Sequence, residues 1–213
     1  MSEMRILRGT IFGAVAIFAV AAATPARAEM FGKAETPYTD LRPFPKWTGV
    51  LERYFAELGA TNGNCATKEF NRCHYKTWKT FTESVRALPR ERQLDAVNTF
   101  FNNHRYIVDP INWGVADYWE TPGQFFARNG DCEDYAIAKY MTLRDLGWEV
   151  GKMRVVVVQD MNLNLVHAIL AVDNAPGKRV ILDNQLAVVI DPARIKHYRP
   201  IYAVNEDGWW RFH

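Results

Sequence analysis

At Gly147 the sequence changes period, and that change limits the chain to few architectures. Before it, apolar residues recur at helical spacing. Trp47 to Leu58 places Val50, Leu51, Tyr54, Phe55 and Leu58 on one face and stops at Gly59. Tyr75 to Leu88 does the same with Trp78, Phe81, Val85 and Leu88, and Arg90 to Tyr106 with Leu94, Val97, Phe100, Phe101 and His104. These aromatic stripes read as core rather than as a binding surface. After Gly147 the runs are short, β-branched and separated by turn residues. They are Met153–Val158, Val166–Val172, Arg179–Asn184, Pro200–Val204 and the aromatic tail Trp209–Phe212. Strands joined by short turns pair antiparallel, so the expectation is an α+β fold with a helical N-terminal half and an antiparallel β-sheet.

Two stretches lack either period. Met30 to Pro45 contains Pro37, Pro43 and Pro45 and reads as an extended arm. Ile107 to Gln124 reads as irregular and holds Trp113, Tyr118 and Trp119. Those aromatics suit either a cleft lining or a cover for the helix that follows.

The N-terminus has a different character. Arg5 and Arg8 precede an apolar run, Ile11 to Ala23, which ends at Ala26-Arg27-Ala28. A basic start, a short apolar stretch and an A-x-A ending describe a secretory signal peptide cleaved after Ala28. The expectation is therefore a signal peptide at 1–28 and one domain at 29–213, exported to the periplasm and not embedded in the membrane once mature. Removing three basic and one acidic residue from 26 and 24 leaves 23 of each. A chain of zero net charge without a basic stripe does not suit a nucleic-acid partner.

An oxidising compartment gives the three cysteines meaning. Cys65 and Cys73 lie eight residues apart in a polar stretch. A disulfide, two free thiols, or a zinc site shared with His74 are the readings, and zinc lacks a fourth ligand at useful spacing. Cys132 is left over. It follows the turn Asn129-Gly130 and sits in the first turn of a helix running to Leu146, with Asp131 as N-cap and Gly147 as C′ residue. A helix N-terminus favours the thiolate, so this is a place for a nucleophile; a buried inert thiol is the plain alternative.

Thiol catalysis needs a base and a group that holds the base in one tautomer. Of five histidines, His167 opens an apolar strand, and Asp183 ends the next one. Adjacent antiparallel strands bring such a pair together. A core histidine and a turn-capping aspartate would give the same pattern. Around the thiol, Asp131, Glu133 and Asp134 crowd three carboxylates, which raises a thiol's pKa unless a cation offsets them. Oxygen ligands suit calcium, although acids in a first helical turn also serve the helix dipole.

The order Cys, His, Asp, with Gly130-Asp131-Cys132-Glu133-Asp134-Tyr135-Ala136, His167-Ala168 and Leu182-Asp183-Asn184, resembles the bacterial transglutaminase-like cysteine proteinases, a branch of the papain superfamily. The resemblance implies a papain-like, transglutaminase-like fold with the Cys132 helix packed on the sheet. It implies a calcium-dependent endopeptidase that cleaves large surface adhesins, releases biofilm cells, and is held inactive by an inner-membrane receptor for cyclic-di-GMP. By its pattern Cys132 is the nucleophile, His167 the base and acid, and Asp183 the orienting group. Asp131 and Glu133 match calcium ligands, and Asp134 is a third candidate. The Cys132 N–H contributes to the oxyanion hole, with Gln124 or Trp119 as the second donor. An acyl transferase using the same thioester, or a calcium-binding module without activity, are the rival readings.

Overall fold

The computed structural model describes residues 29–213. The expected signal peptide, 1–28, lies outside them. Seven strands form one sheet: β1 (Glu29–Met30), β2 (Lys33–Tyr38), β3 (Met153–Asp160), β4 (Leu165–Ala175), β5 (Lys178–Leu182), β6 (Tyr198–Val204) and β7 (Trp209–Phe212). Their order is β1-β2-β7-β6-β3-β4-β5, and every pairing is antiparallel. The helices are α1 (Pro45–Ala56), α2 (Arg72–Val85), α3 (Arg90–Asn102), α4 (Asp109–Asn112), α5 (Pro122–Arg128) and α6 (Cys132–Asp145). No helix among the described residues is long and apolar enough to cross a membrane.

Both faces of the central strands are covered, which explains their unbroken apolar runs. On β3, Met153 and Val155 join the main core with Leu170, Val172 and Leu182, under α6. Val156 and Val158 face the other way into a second cluster with Ile169, Ala171, Ile181 and Tyr198. α6 is buried on every side from Asp134 to Leu143, because β4 lies on one flank and α3 and α5 on the others. A helix so enclosed shows little amphipathicity, and it can hold its N-terminus rigidly.

The expected helices and strands are present, with two differences of substance. The extended arm is part of the sheet: β2 pairs along β7, with Pro37 opposite Trp210. Proline is tolerated there because Thr36 to Tyr38 have a partner on one side only. Buried Glu35 ties this edge inward through Arg154, at 2.7 Å, and that guanidinium stacks 3.8 Å over Trp210. The irregular stretch before Cys132 contains α4 and the start of α5. The signal for α5 was present as Thr121-Pro122-Gly123-Gln124, a capping box with proline at the first helical position.

The helical faces also differ in detail. Trp47, Val50 and Tyr54 form the buried stripe of α1, whereas Phe55 is exposed. α3 ends at Asn102, so His104 sits beyond it, among Phe100, Phe101, Phe125 and Phe126.

Candidate active site

The turn before α6 is built for close approach. Asn129 takes φ 60°, and a Cβ on Gly130 would fall 2.2 Å from an Asp134 carboxylate oxygen. Glycine at 130 lets Asp134 reach back and accept the Asp131 N–H at 3.0 Å, which fixes the first turn of α6. The Gly130 carbonyl accepts the Ile107 N–H at 2.9 Å and anchors the same turn to the chain before α4. Cys132 is thereby held at the helix N-terminus. Its sulfur donates to Glu133 Oε2 at 3.2 Å, Tyr106 lies against it, and the Ala168 N–H on β4 faces it. Burial, then the Glu133 and Asp131 charges, push the thiol well above its ordinary range, while the Ala168 N–H works against them.

Ala168 follows His167, so the contact brings the helix N-terminus to the start of β4. His167 is buried, and its Nε2 lies 2.9 Å from Asp183 Oδ1. A carboxylate with no proton accepts only, so Nε2 carries the hydrogen and Nδ1 is left to exchange a proton. Strand register places Leu182 opposite Leu170, so Asp183 sits diagonally from His167, on the same face. Asp183 also accepts the Gln185 N–H at 2.9 Å and the Tyr198 hydroxyl at 2.7 Å. Burial raises Asp183, but the bonds from His167, Gln185 and Tyr198 outweigh it and hold the carboxyl below its usual value.

The acidic residues gather as expected and draw in others. Asp131, Cys132 and Glu133 offer ligand atoms within 4.8 Å of one another; so do Asp109, Asp131 and Asp134, and Asp109, Asp117 and Glu133. Asp109 belongs to two of these groups and Glu120 stands behind them; neither was singled out from the sequence. The Asp-Pro pair at 109–110 was the available signal, since a carboxylate opening a short helix is easily read as a cap. Burial pushes Asp109 up to about 6, Glu120 to about 8 and Glu133 to about 9, and neighbouring carboxylates add to each. Asp131 is raised and Asp134 is raised strongly, burial coming first in both.

Buried Asp109 Oδ1, Asp131 Oδ1 and Glu120 Oε2 have no hydrogen-bond partner among the described residues. Orphaned, like-charged oxygens are costly, and a hard cation satisfies several at once. The donor set therefore fits calcium. Asp134 contributes differently from Asp131: its oxygens already accept the N–H groups of Glu120 and Asp131, at 2.7 and 3.0 Å.

The model of the bacterial transglutaminase-like cysteine proteinases matches residues 62–206. The chain belongs to this family. Calcium-bound LapG of Legionella pneumophila is 28% identical, with a TM-score of 0.61 over 77% of this chain and 86% of that one. A second structure of Legionella pneumophila LapG is 29% identical, with the same TM-score over 76% and 87%. An EGTA-treated LapG is also 29% identical, at 0.61 over 76% and 84%. No curated protein matches.

A bacterial transglutaminase-like cysteine proteinase is a cysteine protease, and its substrate is a protein. In this proteinase the two expected oxyanion donors are unlike one another. Gln124 is used inside the capping box of α5: Oε1 accepts the Thr121 N–H at 3.0 Å and Nε2 donates to the Tyr118 hydroxyl at 2.9 Å. Its side chain is thus turned into local structure, and it lines a separate cavity with Arg53 and Glu57. Trp119 instead borders a cleft of about 360 Å³ with Lys46, Asp117 and Tyr202. That cleft adjoins the acidic cluster through Asp117.

Away from the site, Cys65 and Cys73 are bridged, with Cα atoms 5.3 Å apart, so the zinc and free-thiol readings fall. Cys132 is the free cysteine. Tyr198 and Gln185, the further partners of the His167–Asp183 pair, were not anticipated. The Gln185 contact is a local turn two residues beyond Asp183, whereas the Tyr198 contact depends on β6 pairing with β3 on the side away from β4, which no local pattern announces.

Proposed function

We propose that this protein is an exported, calcium-dependent endopeptidase that cleaves a large cell-surface adhesin and so controls release from biofilm. Cys132 is its nucleophile, His167 its base and acid, and Asp183 the group that holds His167. The observation that carries the reading is the buried His167–Asp183 pair at the start of β4, beside the α6 N-terminus that presents the free thiol.

The chemistry follows from the donors and acceptors. His167 Nδ1 takes the thiol proton as sulfur attacks the peptide carbonyl carbon. The oxyanion meets the Cys132 N–H, with Trp119 as the upstream donor. The imidazolium returns the proton to the leaving amine as the C–N bond breaks, leaving a thioester on sulfur. Water, deprotonated by His167, then hydrolyses the thioester and regenerates the thiol. Asp183 stabilises the imidazolium in both halves.

Asp109, Asp131 and Glu133, with Asp117 and Asp134 alongside, are the residues that would hold calcium. A divalent cation there supplies positive charge that offsets the carboxylates which otherwise raise the thiol's pKa. The likeness to calcium-bound LapG supports the choice of metal. The apolar run Ile11 to Ala23, ending at A-x-A, supports export to the periplasm. Regulation by an inner-membrane cyclic-di-GMP receptor belongs to the same reading.

The test is cleavage of an adhesin N-terminal fragment by the mature protein, with calcium and with excess chelator, beside Cys132→Ala. Calcium-dependent cleavage lost in the variant is expected. Cleavage that survives chelation removes the metal requirement, and cleavage by Cys132→Ala removes the nucleophile. An added amine that is incorporated in preference to water would identify an acyl transferase instead.

A further inference from the structure

Lys139 lies on α6 two turns beyond Cys132, and none of its surface reaches solvent. No carboxylate pairs with it among the described residues. Burial pushes it down to about 7, against the pull of the Asp183 charge. Its Nζ donates to Asn98 Oδ1 at 2.9 Å and to Asn102 Oδ1 at 2.7 Å, both on α3. An ammonium only donates, so each amide must turn its oxygen to Lys139 and its NH2 group away. On that far side Asn102 Nδ2 reaches the carbonyls of Asp183 and Leu186, at 2.8 and 2.9 Å. Asn98 Nδ2 reaches the Leu186 carbonyl at 3.1 Å.

The segment held in this way contains both groups that set the histidine. Asp183 accepts from His167, and Gln185 donates its N–H to Asp183 while its Nε2 lies 3.5 Å from His167 Nδ1. Replacing such a lysine by an apolar side chain of similar length would remove a desolvation cost. Against that gain, such a replacement would leave the buried Asn98 and Asn102 oxygens without their donor. What the lysine binds is the pair of amides that grip the Asp183 turn.

We propose that Lys139 is a positioning residue for the thiol, imidazole and carboxylate set: through Asn98 and Asn102 it keys the 183–186 turn to the helix that opens with Cys132. The inference rests on reading Cys132, His167 and Asp183 as the catalytic set. Lys139 itself touches none of the reacting atoms.

The test uses the calcium-loaded mature protein and iodoacetamide, which reports thiolate formation at Cys132 without a substrate. Alkylation is followed against pH for wild type, Lys139→Met, Asn102→Ala, Asp183→Asn and the Lys139→Met/Asp183→Asn double variant, with Tm recorded for each. Displacing the turn is expected to slow alkylation about tenfold in Lys139→Met and to shift its pH profile. Because the path runs through Asp183, the same change is expected to cost less than about twofold once Asp183→Asn is present. Asn102→Ala, measured alone and combined with Asp183→Asn, shows the same non-additivity and carries the test if Lys139→Met does not fold. Equal slowing in both backgrounds, or a lower Tm with unchanged alkylation, overturns the proposal. If Asp183→Asn by itself leaves alkylation unchanged, the catalytic reading fails first, and the two failures are told apart.

Discussion

Asp183 takes the His167 Nε2 hydrogen at 2.9 Å in a place where neither side chain meets water, their exposures being 0% and 2%. At that depth the carboxylate stabilises an imidazolium far more than a surface acid would. Asp183→Asn keeps the shape but offers an amide in place of a charge. It should lower kcat by roughly 10²- to 10⁴-fold with little change in KM, read by steady-state cleavage of a peptide substrate.

Tyr198 supports the same carboxylate from β6. Tyr198→Phe removes one of the bonds that hold Asp183 ionised, so its pKa should rise and the acid limb of the kcat/KM profile should move to higher pH. The loss of rate at neutral pH should stay within about tenfold, since His167 and Gln185 still bind Asp183. An unchanged acid limb would show that Tyr198 serves packing alone.

Asp109 should matter for the metal although no motif marks it. Its Oδ1 is buried without a partner and faces Asp131 and Asp134. Asp109→Asn should weaken calcium binding by at least about tenfold in isothermal titration calorimetry, while Cys132 stays reactive at saturating calcium.

The raised carboxylates give stability a definite slope with pH. Asp109, Glu120 and Glu133 sit at about 6, 8 and 9 when folded, above ordinary values near 4, so the folded chain binds more protons than the unfolded one. The contribution is fully present at low pH and is lost as pH rises through the folded values. In chelator, Tm should therefore fall between about pH 5 and pH 9, and saturating calcium should flatten the curve. A chelated protein whose Tm rises over that range would contradict the burial of these acids.

Cys65 and Cys73 close a short loop ahead of α2. Replacing both by serine should cost about 2–3 kcal/mol in urea unfolding, by the entropy of so small a loop, and leave kcat unchanged.

Much of this is legible in the amino-acid sequence. The β-branched runs after Gly147 and the capped helix opening at Cys132 carry their own geometry, because period and capping act within a few residues. Cys132, His167 and Asp183 each stand near the end of an element, but it is the family resemblance, not spacing alone, that marks them as one set. The capping box at Thr121 is local too, although the aromatic and proline-rich stretch around it has no period of its own.

Other features are decided by what lies across the core. Asp109 joins Asp131 because the chain before α4 is hydrogen-bonded to Gly130, and β2 becomes a strand because β7 offers it an edge. Gln124 and Trp119 are equivalent guesses along the chain, yet one is spent on a cap and the other borders a cleft. Lys139 reads as the polar residue of an ordinary helix until both flanks of α6 are covered. Sequence period set the elements and the residues at their ends, since those depend on neighbours a few positions apart. Which of those residues share a charge, a proton or a hydrogen bond depended on burial and on strands distant in sequence, and only the folded chain brings these together.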